Sequence, residues 1–262
     1  MNTIIAPTDF SPASLNAVNY AADMAVATNA ELLILHATEL PFDKNFFSDT
    51  YEESEIEKTL IELKKKLLKT TQNKIIIKAK QLAGTIENEL IKICAYKSPF
   101  AVVMATHGAS LRKLLFVGSI TVYLSRNLKY PVIVVPENVH FKPVHNIALA
   151  TDLKNIDELP VEKILSVITA FKAQLSLVYV YSGKEDLNEY AAEKSALHAH
   201  FKELNPAFHF VQNDNVQSGI VSFAEKNNID IILTFPKKHT LFHSSESKQL
   251  IFHSPVTVMT LH

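Results

Sequence analysis

Glycine is scarce in this chain, with 5 in 262 residues, below the usual share of about 7%. Each glycine therefore marks a place where the backbone has a special need. Cysteine is scarcer still. The single Cys94 can form neither an internal disulfide nor a thiolate cluster, and with Ile91 and Ile93 beside it, it reads as a packing residue in a reducing compartment. Charge of one sign is also missing: 26 Lys and Arg against 27 Asp and Glu give a net charge of -1, so no global field draws the chain to a phosphate polymer or an anionic membrane. No stretch approaches the ~18 apolar residues of a membrane span, and the start, Met1-Asn2-Thr3-Ile4-Ile5, has neither a basic n-region nor a long apolar h-region. The expectation is a cytoplasmic chain with no nucleic-acid partner and no membrane contact. What is present is ordinary folded-protein composition, 47% hydrophobic and 20% charged, in a length that suits one large domain or two compact ones.

The chain repeats itself. Ile4-Ile5-Ala6-Pro7-Thr8-Asp9 returns as Ile147-Ala148-Leu149-Ala150-Thr151-Asp152, each a short apolar run ending in Thr-Asp ahead of a helical pattern. Ala30-Glu31-Leu32-Leu33-Ile34-Leu35 returns as Ala173-Gln174-Leu175-Ser176-Leu177-Val178, and both halves close on a proline-led strand, Pro131-Val132-Ile133-Val134-Val135 and Pro255-Val256-Thr257-Val258-Met259. Two domains are expected, 1–140 and 141–262, joined near Pro136 to Pro143.

Within the first half, strands are expected at Ile4 to Ala6, Leu32 to Ala37, Ile75 to Lys78, Phe100 to Ala105 and Val132 to Val135. Ser11 is placed as an N-cap with Pro12 at the first helical position, and Leu15, Val18, Ala22 and Ala25 follow at helical spacing. Ile56, Leu60, Leu63 and Leu67 line one face of a second helix, which puts Lys64, Lys65 and Lys66 largely off that face and reads them as solvated. Ile86, Leu90, Ile93 and Cys94 mark a third helix, and Ser119 to Leu128 a fourth. Alternating helices and continuously apolar strands specify an α/β protein of two tandem doubly wound parallel sheets, Rossmann-like, covered by helices on both faces. In such sheets the ligand crevice lies at the C-terminal ends of the strands, where the strand order reverses.

Three of the glycines, Gly84, Gly108 and Gly118, fall after expected strands or at a helix start in the first half. Gly108 lets backbone N–H groups approach an anion, while Gly118-Ser119 opens a helix with unpaired N–H groups, the positive dipole end and a hydroxyl. The spacing fits a phosphate cradle without a Walker lysine; it also fits a turn followed by a cap.

Thr8-Asp9-Phe10-Ser11, His36-Ala37, Gly84, Thr106-His107-Gly108 with Gly118-Ser119 beyond it, and the closing Pro131 to Pro136 together resemble the universal stress protein family. The match covers the first half in order and the second more loosely, and it implies a tandem member whose domains share the adenine-nucleotide α-hydrolase-like fold. ATP-binding members carry Gly-x-x-Gly, nine residues, then Gly-Ser or Gly-Thr. Here the first of those glycines is Ala105, the others Gly108 and Gly118 followed by Ser119. The resemblance implies that Asp9 and the backbone of Ala37 meet the adenine, with Pro7 and Thr8 lining its pocket. It implies further that Ala105, His107 and Gly108 meet ribose and phosphate, and that Gly118, Ser119 and Ile120 meet the outer phosphates. The implied cofactor is ATP, with or without Mg²⁺. The second half keeps Thr151-Asp152 but has no glycine in Thr234-Phe235-Pro236-Lys237-Lys238-His239, and Asp214 stands roughly where Gly84 does, so at most one nucleotide per chain is expected.

Plainer readings stand beside these. Asp9 also serves as a turn cap; His107 has no identifiable acidic partner or nucleophile for catalysis; Arg112 and Lys113 read as solvated cations. Eight of the 11 histidines lie beyond residue 144, but His239 and His243 lack the zincin glutamate, with Thr240 in its place, and His198 and His200 fall on different sides of a helix. No structural metal is expected. Three functions remain open: an ATP-binding regulatory protein in stress response with an unidentified protein partner, a nucleotide-free interaction module, and a slow ATP hydrolase. An α-phosphate ligase is disfavoured, since Thr8-Asp9-Phe10-Ser11-Pro12 replaces the Ser-Gly-Gly-x-Asp-Ser loop. The strands at Val132 to Val135 and Val256 to Met259 are expected to pair as an internal pseudo-dimer, with homodimerisation still open, because a bare valine-rich edge invites aggregation.

Overall fold

A computed structural model describes residues 2–38, 55–106, 119–154, 156–235, 250–251 and 253–262. Strands and helices alternate as β1 (Thr3–Pro7), α1 (Pro12–Thr28), β2 (Glu31–Thr38), α2 (Glu55–Thr70), β3 (Ile77–Ala83), α3 (Ile86–Lys97), β4 (Ala101–Ala105), α4 (Ser119–Asn127) and β5 (Val132–Val135). The second half follows with β6 (Asn146–Ala150), α5 (Val161–Phe171), β7 (Gln174–Tyr181), α6 (Ala191–His200), β8 (Ala207–Gln212), α7 (Val216–Lys226), β9 (Ile231–Thr234) and β10 (Thr257–Thr260). The ten described strands form one sheet in the order β3-β2-β1-β4-β5-β10-β9-β6-β7-β8. The second five therefore repeat the order of the first five, read from the opposite end.

Every strand pair is parallel except β5 with β10, which run antiparallel with Ile133 opposite Met259. All eight side chains of that join are buried, so each half supplies the edge that the other covers. Successive residues point to opposite faces. Ile4, Ala6, Leu32, Ile34 and Val103 pack with α1, α2, α5 and α6, while Ile5, Leu33, Leu35, Val102 and Met104 pack with α3, α4 and α7, Cys94 among them. Burial pushes the Cys94 thiol up to about 12, so it is inert packing rather than a nucleophile.

α1 starts as its sequence directs: the Ser11 side chain accepts from Ser14 N–H, Pro12 occupies the first turn, and Asn29 ends the helix in the left-handed region at φ 50°. In α2, Leu60 and Leu67 are buried and Lys65 and Lys66 are exposed. The connection between the halves is clasped from both sides. Asn16 Nδ2 donates to Val139 O at 2.9 Å, and Tyr20 meets Phe141 edge-on at 5.2 Å. Asp230 Oδ2 accepts from the N–H groups of His145 and Asn146 at 2.8 and 3.0 Å.

Two strands depart from the sequence expectation. β3 runs over Ile77–Ala83 rather than Ile75 to Lys78, because it is an edge strand whose exposed Lys78 and Lys80 alternate with inward residues and hide the apolar signal. β10 sits one residue later than expected, at Thr257–Thr260, since Val256 N–H is taken by Ser254 Oγ at 3.1 Å.

Candidate functional site

The strand order reverses between β1 and β4, so the chain leaving β1 and the chain leaving β4 diverge to opposite faces and open a crevice between them. Pro7 ends β1, Ala37 lies near the end of β2, and Ala105 ends β4. These residues are neighbours at one end of the sheet, with Thr8 and Asp9 just beyond. Thr8 N–H still donates to Leu35 O at 2.8 Å, as a continuation of the ladder.

Beyond Thr8 the chain turns sharply, and its own side chains hold the turn. Phe10 N–H donates to Thr8 Oγ1 at 3.0 Å. Asp9 Oδ1 accepts from Ser11 N–H at 3.0 Å and from Ser11 Oγ at 2.6 Å. Ser14 Oγ gives its proton to Ser11 O at 3.1 Å, so the Thr8 hydroxyl is the donor in its 3.0 Å contact with Ser14 Oγ. Phe10 takes φ 62°, a left-handed conformation that costs a non-glycine residue about 1 kcal/mol or more. Its ring stacks on His36 with centroids 4.6 Å apart and planes 24° off parallel. His36 Nδ1 donates to Thr8 O at 2.7 Å, which fixes that nitrogen as the protonated one in the neutral ring.

The same turn recurs in the second half. Thr151 N–H donates to Val178 O at 3.0 Å, Leu153 N–H to Thr151 Oγ1 at 3.0 Å, and Lys154 N–H to Asp152 Oδ1 at 2.9 Å. Leu153 stands at φ 57° where Phe10 stands at φ 62°. The Thr-Asp repeat is thus first of all a turn motif that takes the chain off a central strand. The register sets Tyr179 where His36 lies and Asn213, one residue before Asp214, where Gly84 lies. The Tyr179 hydroxyl donates to Glu185 Oε2 at 2.8 Å, and its ring lies 5.2 Å from that of Tyr190. Burial first, then the Tyr190 and Glu185 contacts, hold its hydroxyl well above the usual tyrosine range.

On the far side of the first crevice, Ala105 is buried, and its carbonyl accepts from Thr121 Oγ1 at 3.0 Å. This bond ties the first turn of α4 to the end of β4. Ser119 is the first residue of that helix and Ile120 packs half-buried beneath it, so this turn of α4 is held beside the end of β4. Pro7, Thr8 and Asp9 thus follow β1, Ala37 lies near the end of β2, and Ser119 and Ile120 stand in the helix turn tied to Ala105 at the end of β4. His107, Gly108 and Gly118 lie outside the described residues, as do Arg112, Lys113, His239 and His243. Gly84 follows β3 at φ 123°, a conformation open in practice to glycine alone. Phe10, His36 and Thr121 are the contributors that motif reading leaves unassigned. Their roles arise from contacts between elements distant in sequence.

Among the described residues no group of three His, Cys, Asp or Glu could hold a metal ion, and no helix is long and apolar enough to cross a membrane.

A mostly parallel doubly wound sheet with a crevice between its first and fourth strands defines the Rossmann-like class. Residues 1–136 match the universal stress protein family, and the chain belongs to that family. It is similar to a universal stress protein from Archaeoglobus fulgidus, at 19% identity over 99% of this chain and 96% of the other, with TM-score 0.71. It also resembles a putative universal stress protein from Pseudomonas aeruginosa at 12% identity, over 100% and 93% of the two chains, TM-score 0.61. A third similar structure is the cytoplasmic domain of a prokaryotic cation chloride cotransporter, at 10% identity over 99% and 94%, TM-score 0.51. These likenesses span the whole chain and show the fold. No curated protein matches the sequence.

Proposed function

We propose that the protein is a tandem universal stress protein, with domains at 1–140 and 141–262, that binds one adenine nucleotide in the first domain and acts as a regulatory protein in stress response rather than as a fast enzyme. The observation that carries this reading is the tie between Thr121 and Ala105 O, which holds the N-terminal turn of α4 at the crevice where β1, β2 and β4 end. The residues present suit a nucleotide. Asp9 is exposed and Ala37 half-buried at the rim, and Ala105 is absent from the positive-φ residues, so its methyl group meets no backbone strain. In this reading Pro7, Thr8, Asp9 and Ala37 receive the base. Ala105, His107 and Gly108 meet ribose and inner phosphate, and Gly118, Ser119 and Ile120 take the outer phosphates, with ATP as ligand, with or without Mg²⁺.

The test is chromatography of nucleotide released by acid from the purified protein, together with calorimetric titration of ATP into wild type and Gly118→Val. Near-stoichiometric binding that the substitution abolishes supports the reading. Absence of heat up to millimolar ATP refutes it. A second reading, an interaction module with vestigial pockets, is favoured by the doubled turn, because Thr151 and Asp152 accept the same backbone N–H hydrogen bonds as Thr8 and Asp9 in a half without counterparts of Gly84, Gly108 and Gly118. That reading leads if no nucleotide binds.

A further inference from the structure

The sheet of described strands ends at β3 and β8, and the two ends are built differently. β3 carries Lys78 and Lys80, both exposed along the strand, the usual protection of an edge against other strands. β8, Ala207-Phe208-His209-Phe210-Val211-Gln212, carries no charged side chain, no glycine and no proline, and its four central side chains are only half-buried. Among the described strands it pairs with β7 alone.

The backbone shows which groups are left over. Asn213 N–H donates to Tyr181 O at 2.9 Å, and Tyr181 lies opposite Gln212. Backbone groups alternate sides along a strand in a parallel ladder, so Val211 and His209 address β7, while the N–H and C=O groups of Phe208, Phe210 and Gln212 face outward. Both faces of β8 are braced by the protein's own helices. Lys194 of α6 lies over the rings of Phe208 and Phe210, at 5.4 and 5.5 Å. On the other face His209 packs on Phe223 of α7 at 4.8 Å. The faces are held and, among the described residues, no second strand pairs with the edge.

We infer that β8 is a docking edge for a second copy of this chain, joined antiparallel about a two-fold axis. The two ends of the sheet differ in what self-pairing sets together. An antiparallel pair of β3 strands centred on Ala79 sets Lys78 against Lys80 of the second copy, and like charges directly opposite repel. The same pairing of β8, centred on Phe210, sets Phe210 against its own copy, His209 against Val211, and Phe208 against Gln212. Each outward-facing residue then exchanges both backbone groups and meets no like charge. The chain already joins two units of this fold through antiparallel edge strands, β5 and β10, and pairing at β8 repeats that join at the other end of the unit. The inference is independent of nucleotide binding.

Sedimentation velocity of the full chain, from micromolar to hundreds of micromolar, tests it. The expected result is a reversible dimer whose dissociation constant rises about tenfold or more in Phe210→Lys, where like charges meet on the axis. It should rise comparably in Gln212→Pro, which removes one outward N–H from an exposed position and leaves the β7 ladder intact. Lys80→Gln on the other edge should leave the constant unchanged. If Phe210→Lys fails to fold, Gln212→Pro decides. A wild type that stays monomeric throughout, or a dimer unmoved by Gln212→Pro, overturns the inference.

Discussion

The paired turns after β1 and β6 permit an experiment in which one half serves as the internal control for the other. Asp9→Ala removes an acceptor that takes two hydrogen bonds, from Ser11 N–H and Ser11 Oγ at 3.0 and 2.6 Å. Asp152→Ala removes the acceptor of one 2.9 Å bond from Lys154 N–H. A hydrogen bond to a charged acceptor contributes about 1.5–3 kcal/mol, and an exposed capping side chain retains about 1 kcal/mol of that. The expected loss is therefore about 1–2 kcal/mol for Asp9→Ala and about 0.5–1 kcal/mol for Asp152→Ala, or roughly 2–4 °C per kcal/mol in a chain of this size. Asp9→Asn keeps an acceptor and should recover most of the first loss. Urea unfolding reads stability, and ATP titration of the same three variants reads the ligand. In the nucleotide-binding reading, Asp9→Ala weakens ATP binding while Asp152→Ala leaves it untouched. Unchanged stability in both alanine variants would refute the assignment of Thr-Asp as a turn motif. Equal effects of the two on ATP would refute a site confined to the first half.

Other perturbations follow from the same geometry. Asp230→Ala strips the acceptor from His145 and Asn146 N–H and should cost about 2–3 kcal/mol, with hydrogen exchange rising first at residues 142–146. Met259→Ala, at a side chain with 0% exposure in the β5–β10 join, should cost about 2–5 kcal/mol in chemical unfolding. Gly84→Ala meets nothing closer than Glu89 Oε1 at 3.7 Å but must hold φ 123°, so its loss of about 1 kcal/mol or more comes from strain; a neutral result in urea would contradict the stated backbone conformation. The Lys78 ammonium, hydrogen-bonded to Glu31, holds the Glu31 carboxyl below its ordinary value, with burial opposing. Because the folded pKa is the lower one, this contribution is complete above the unfolded value near 4.3 and disappears as pH falls through the folded value. Lys78 is 54% exposed, so Lys78→Ala should flatten the acid limb of the stability curve by less than about 1 kcal/mol.

How far the sequence could be read depended on where its information lies. β1, β2, β4 and β5 are covered on both faces, so they appear as unbroken apolar runs. β3, at an edge, writes an alternating pattern that two lysines mask. The start of α1 was legible because Ser11 and Pro12 act within a few residues of themselves. At the crevice the Thr-Asp pair was visible as a repeat, but the φ of 62° at Phe10 and its stack on His36 were not. The stack joins residues 26 positions apart in the chain, and the left-handed φ falls on a phenylalanine, whose own propensity disfavours it. The tie from Thr121 to Ala105 O is hidden for the same reason.

The contrast between the halves bears on why only one crevice is read as a ligand site. Both halves keep the strand, the turn and the positive-φ residue, since these are needed to bring a chain off a central strand into a covering helix. What differs lies around them. In the first half a glycine at φ 123° follows β3 and a histidine sits on β2. In the second, Asn213 and Tyr179 take those positions, and Tyr179 is committed to Glu185 and packed against Tyr190. The doubled part of the motif is thus the turn, and in the nucleotide-binding reading the part that is single, Gly84 with the Gly108 and Gly118 of the sequence motif, is what sets the first half apart.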